Sequence, residues 1–270
     1  MALANKAKLS ATFSLVALEN MLFLLYPLVG SFAVNAVLNQ QTWHALAYAL
    51  MVFAIWSVGP ARRAVDTRAF VRIYADLASK AIISEKQKGN TSSASAHAIM
   101  ARHFVAFFEE HLPILITAGF NVLGSVIMLL IIEFYAGVIA FLILAMFILI
   151  LPSYTKTNDK LYFKLNNRLE KEVGVIEQNH HHHLNKHYDV LAKLRIAISN
   201  REAFSYLMIG VAMAILFGAT LFILSQNEVQ AGHIYAVITY LWGFAMSLDD
   251  MPRMVEKLSE LKDIGGRVAV

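Results

Sequence analysis

The chain contains no cysteine, so disulfides and thiolate metal sites are excluded, and cysteine usage says nothing about the redox compartment. Charge is scarce as well. Asp, Glu, Lys and Arg make up 16% of the 270 residues, against about 25% in an average soluble domain. Nowhere does G-x-x-x-x-G-K followed by Ser or Thr occur, so the phosphate-cradling loop of the nucleotide hydrolases is missing. Gly265-Gly266-Arg267 does not replace it, because it lacks the Lys and the hydroxyl that meet phosphate and magnesium. No nucleophile–base arrangement and no cofactor motif argues for an enzyme. The consecutive histidines are not the paired boxes that a diiron membrane oxidase needs. The first apolar run suits a spanning helix and not a cleaved leader. Lys6 and Lys8 precede an apolar run, but that run continues to about Leu38, carries Glu19 inside it and has no small-residue cleavage site.

What is present is apolar length. Hydrophobic residues make up 58% of the chain, and the mean hydropathy is +0.55. A helix that crosses a bilayer needs about 20 mostly apolar residues. Such runs centre on 12–38, 43–60, 112–132, 136–154, 205–225 and 231–248. The expected fold class is an all-α membrane protein of six transmembrane helices in a single domain, 1–270. Three connections are short: Asn39-Gln40-Gln41, Glu133 to Tyr135 beside Gly137, and Gln226 to Gln230. The other two, 61–111 and 155–204, are long and read as helix-forming, with few breakers apart from Lys88 to Ser93. They look like continuations of the spans into water, folded back by a short turn. A helix from Thr42 to about Ile83 would be on the order of 60 Å long, twice the hydrocarbon core.

The basic residues give an orientation. All 23 Lys and Arg lie in the N-terminal tail, the two long connections or the stretch from Arg253 to Arg267, and none lies in a short connection. The positive-inside rule then places both long connections and both termini in the cytoplasm, as in a bacterial inner membrane. The same distribution accounts for the net charge of +4 and the pI of 9.2. The partner of these charges is the anionic inner leaflet, not nucleic acid.

Several local features follow in order along the C-terminal part. Glu202-Ala203-Phe204 stands before the fifth span. Val229-Gln230-Ala231-Gly232-His233 opens the sixth, which continues through Tyr240-Leu241, Ser247-Leu248 and Met251-Pro252. Leu258-Ser259-Glu260-Leu261 then leads to Arg267-Val268. Together with the loop pattern, these resemble the transmembrane domain of the ABC-exporter family, over nearly the whole chain. The resemblance implies a domain-swapped homodimer, and two cytoplasmic loops that each end in a short coupling helix. It also implies an ATP-binding domain where these residues stop. A transporter without an ATPase in the chain is therefore expected. Its drive would be a separate ATPase subunit or a proton gradient, as in the peptide-uptake family that keeps the exporter membrane fold without nucleotide-binding domains.

Candidate chemistry falls in two classes of residue. Five of ten histidines, His180, His181, His182, His183 and His187, lie within eight positions near the second coupling helix. On a helix, His180, His183 and His187 share a face, as do Glu177 and His181. Two imidazoles so spaced can meet one zinc, iron, nickel or cobalt ion. That pattern suits a metal sensor, a cytosolic receiver, or a transporter of a metal ion or metal chelate. A solvated polar loop has the same composition. His97, His103 and His111 form a secondary set before the third span, where interfacial polar residues are also common. A coupling helix rich in histidine is a poor docking surface for an ATPase, which favours the proton gradient.

The second class is charge inside a span, which costs about 2.5–3.5 kcal/mol even on the lenient insertion scale. Glu19 lies within the first span, with Asn121 or Ser125 as expected polar partners. Asp249 and Asp250 lie near the inner end of the sixth, with Arg253 one turn on. Each carboxylate is a candidate carrier of a proton or a cation. His44 and His233 begin the second and sixth spans at the outer surface, where a metal or proton could be received from outside, and read as interface residues.

Overall fold

The computed structural model describes residues 6–87, 112–170, 172–177 and 181–268. These residues are built from seven helices: α1 (Lys6–Leu38), α2 (Thr42–Gln87), α3 (Leu112–Ile132), α4 (Phe134–Glu170), α5 (Glu172–Glu177), α6 (His181–Ser225) and α7 (Ala231–Val268). No strand occurs among them. All except α5 are long and apolar enough to cross a membrane. The apolar run of α2 continues without interruption into a charged segment, giving 46 residues and a rod about 69 Å long at 1.5 Å per residue. Helices α4 and α6 likewise run far beyond their apolar parts.

Three tight turns gather at one end of the bundle. The first is a Schellman closure of α1. The Gln41 amide donates to the Ala36 carbonyl at 2.8 Å and the Gln40 amide to that of Val37 at 3.0 Å. Gln40 takes the left-handed conformation, φ 57°, that the motif requires. The second is a single-residue bend at Glu133. There Gly137 lies so close to the Leu129–Leu130 backbone that a Cβ would overlap it. The third, after Ser225, returns the chain into α7. Gly232 at its start sits directly on the Ser31 carbonyl and Asn35 of α1, a closeness that only a residue without Cβ permits.

Packing follows from these turns. Helix α1 lies against α2, α3 and α7, while α4 and α6 pair with each other and close on α7. Leu129, Ala136, Ala140, Leu216, Val237, Leu241 and Phe244 are completely buried where α3, α4, α6 and α7 meet. The Tyr240 hydroxyl donates to the Leu24 carbonyl at 2.7 Å and ties α7 to α1. A second cluster, Tyr162 and Leu165 against Leu191 and Ile198, holds the α4 and α6 extensions together beyond the apolar part. The outer surface is apolar. On α2, Trp43 is 84% and Trp56 76% exposed, in one helical stripe with Leu46, Leu50 and Phe53. A stripe of that size facing outward suits hydrocarbon, not water.

Four of the five prolines lie inside helices: Pro27, Pro60, Pro152 and Pro252. The last three share a position in their helices. Each stands where the apolar run gives way to charge: Arg62 and Arg63 after Pro60, Lys156 after Pro152, Asp249 and Asp250 before Pro252.

Candidate functional site

Glu19 pairs across helices, but with Arg62 of α2 and not with Asn121 or Ser125. The reason is the symmetry of the α1–α2 hairpin. Glu19 lies 21 residues before Gln40 and Arg62 22 residues after it, so the two come level when the helices fold back on each other. One helical turn further, Arg62 Nη1 donates to Asp66 Oδ2 at 3.1 Å. The result is a carboxylate–guanidinium–carboxylate chain spanning α1 and α2, with both Glu19 and Asp66 largely shielded.

This chain forms one wall of a cavity of about 730 Å³ between α1, α2, α3 and α7. Asn20, Arg63, Thr67, Thr117, Asn121, Ser247 and Asp250 line the rest of its polar surface. Asp250 thus joins Glu19 in the lining and Asp249 does not, though both are exposed. Two oxygens in the wall have no protein donor. Asn20 spends its amide on the Val16 carbonyl at 2.7 Å, leaving Oδ1 buried and unpartnered. Asp66 presents Oδ1 in the same state. Buried acceptors are satisfied by water or by a bound molecule, so the cavity asks for hydrogen-bond donors. Arg62, Asp66 and Asn20 are the site residues that sequence reasoning missed. The hairpin symmetry about Gln40 is the signal that would have found Arg62, and the i, i+4 spacing then leads to Asp66.

Of the histidines expected on one face, His183 and His187 stand one turn apart on α6 and differ in burial. The short helix α5 reads Glu172-Val173-Gly174-Val175-Ile176-Glu177 and contains no histidine, with Ile176 exposed. His181, His182 and His183 open α6 and are exposed, the last two with their rings edge to face at 6.0 Å. His187, one turn after His183, is fully buried, and neither ring nitrogen has a hydrogen-bond partner. Among the described residues no three His, Cys, Asp or Glu side chains gather in a manner that could hold a metal ion. His180, His97, His103 and His111 lie outside the described residues.

The opposite end of the bundle is clasped by polar contacts. His233 Nε2 and Glu133 Oε2 lie 3.1 Å apart, joining α7 to the α3–α4 bend. The Asn35 amide donates to Gln230 Oε1 at 2.8 Å, and its Oδ1 accepts from the Gly232 amide at 2.9 Å. His44 is exposed.

Residues 1–232 match the family described as ABC transporter transmembrane region. No nucleotide-binding domain family matches within the 270 residues, and no curated protein matches the chain. The matched stretch covers the first five spans and the start of α7. The resemblance drawn from Met251-Pro252 and Leu258 to Val268 therefore lies beyond it. With six helices of spanning length and short turns at one end of the bundle, the chain belongs to the ABC transporter transmembrane region family.

Proposed function

We propose that the chain is the membrane part of a transporter that moves a solute bearing ammonium or guanidinium groups through the Glu19 cavity, driven by an ATPase that docks on α5. The observation that carries the cargo class is the pair of buried acceptors, Asn20 Oδ1 and Asp66 Oδ1, beside the carboxylates of Glu19 and Asp250. A cation with several N–H donors satisfies these oxygens and competes with Arg62 for Glu19 and Asp66. The positive-inside rule opens this cavity toward the cytoplasm. Two copies of the chain, each contributing one cavity to a common pathway, complete the proposal.

The drive rests on α5. A histidine-rich coupling helix favours a gradient, but the six residues of α5 include Val173, Val175 and Ile176 and no histidine. An exposed apolar side chain such as Ile176 suits insertion into a protein cleft. The second reading is proton drive through Glu19, whose protonation would dissolve its ion pair with Arg62.

Vesicles prepared from the native membrane separate the two. With labelled spermidine and Lys-Lys dipeptide as probes, accumulation should require ATP, survive a protonophore and fall at least tenfold in Asp66→Asn. Accumulation that ignores ATP and collapses with the protonophore points to the second reading. Equal transport of anionic and cationic probes sinks the cargo class.

A further inference from the structure

A second cavity lies on another face of α7, walled by α4 and α6, and has a volume of about 460 Å³. Its chemistry changes along its depth. On α4 the lining runs from Met146, Phe147 and Ile150 to Tyr154 and Thr157. On the antiparallel α6 it runs in the opposite chain direction, from Met208 and Phe204 to Arg201 and Asn200. The apolar ends coincide, and so do the polar ends. The polar rim stands at the level of Pro152 and Pro252, where the apolar part of the bundle finishes. From Arg201 to Met208 the depth is about 10 Å, seven residues at 1.5 Å each.

Arg201 defines the rim. Its Nε donates to Asn158 Oδ1 at 3.3 Å, its Nη2 to the Tyr154 carbonyl at 3.4 Å, and its guanidinium lies 5.0 Å from the centre of the Tyr154 ring. Every one of these described partners is neutral, and the lining of the cavity contains no carboxylate. A half-buried guanidinium held in place by neutral groups, above an apolar shaft that opens at the exposed Ile150 and Phe204, complements an anionic headgroup on an acyl chain.

We propose that this cavity is a binding site for an anionic phospholipid, with the phosphate at Arg201 and the upper acyl chain against Met146 and Met208. The site is distinct from the Glu19 cavity, and its existence does not depend on the cargo. Basic pockets between spans on the positively flanked side of a membrane take such headgroups. The polar-to-apolar order found here matches the order of a lipid from headgroup to tail.

Native mass spectrometry of the purified, delipidated protein tests this, with phosphatidylglycerol and phosphatidylcholine of identical chains as probes. One phosphatidylglycerol should be retained with a preference of about fivefold or more over phosphatidylcholine, the contribution of one basic residue near an anionic surface. Arg201→Gln should abolish the preference. Met208→Trp leaves Arg201 and its hydrogen bonds in place but fills the shaft, and should release the bound lipid of either kind. Inorganic phosphate at millimolar concentration should not displace the lipid. Equal retention of both lipids by the unmodified protein overturns the proposal. So does wild-type retention in either variant, or displacement by phosphate alone, which would mark an anion site with no use for the chain.

Discussion

Arg62 holds two shielded carboxylates, Glu19 and Asp66. Removing Arg62 leaves both uncompensated, a loss of about 3–5 kcal/mol, whereas removing Glu19 leaves Arg62 paired with Asp66 and costs less. Arg62→Gln should lower thermal stability in detergent markedly, and Glu19→Gln by less. The double variant should recover part of the loss, with a coupling energy of about 1–3 kcal/mol in a double-mutant cycle. Additive losses would show that the two groups act independently. His187 gives the opposite expectation. Its ring is buried with no hydrogen-bond partner at either nitrogen, and an unsatisfied buried polar group costs about 1–3 kcal/mol. His187→Leu should therefore raise the unfolding temperature and leave zinc affinity, measured by calorimetry, unchanged. A large loss of zinc binding would instead support the metal reading of the histidine run. Glu19 was legible in the sequence because a carboxylate inside an apolar run is expensive enough to stand out. Its partner was not, because Arg62 reads as one more basic residue flanking a span until the hairpin is folded.

At the scale of elements, bilayer thickness made the spans legible. Twenty apolar residues leave few alternatives to a crossing helix. The extensions were legible from their lack of breakers, and α2 does continue unbroken past its apolar part. The turn geometry was less accessible. Nothing local announces that Gln40 must adopt a left-handed conformation, since glycine is the usual occupant of that Schellman position. Gln40→Gly should thus stabilise the α1–α2 hairpin by roughly 0.5–1 kcal/mol, seen as a higher unfolding temperature with the transport rate unchanged. Gly232→Ala should do the reverse. A methyl group there meets the Ser31 carbonyl and Asn35, forces α7 away from α1 and breaks the Asn35 clasp. A loss of more than 2 kcal/mol is expected, in the range of overpacking in a close helix contact. Unaltered stability in that variant would mean that the α1–α7 approach is looser than described here.

On the scale of the whole molecule, the two ends of the bundle are built for different tasks. One is fastened by three tight turns and by the Asn35 and Glu133–His233 contacts. At the other, three helices carry a proline where the apolar run ends. Proline offers no amide to the carbonyl four residues earlier, so Trp56, Ile148 and Leu248 lose their usual helical donors. In mechanical language, the spans and the extensions are stiff beams, and the three prolines form a compliant joint at a common height. A load applied at the far tips, near α5, would bend the molecule at that joint and not along its length. Both cavities border it: Arg62 and Asp250 lie two residues from Pro60 and Pro252, and Tyr154 two residues from Pro152. Replacing all three prolines with Ala should stiffen the joint, raise thermal stability and slow transport severalfold, while equilibrium binding of the cargo stays unchanged. Leverage about a fixed end, transmitted through a hinge that runs beside both cavities, is how force on six residues of α5 would reach a charge pair at the end of the apolar bundle.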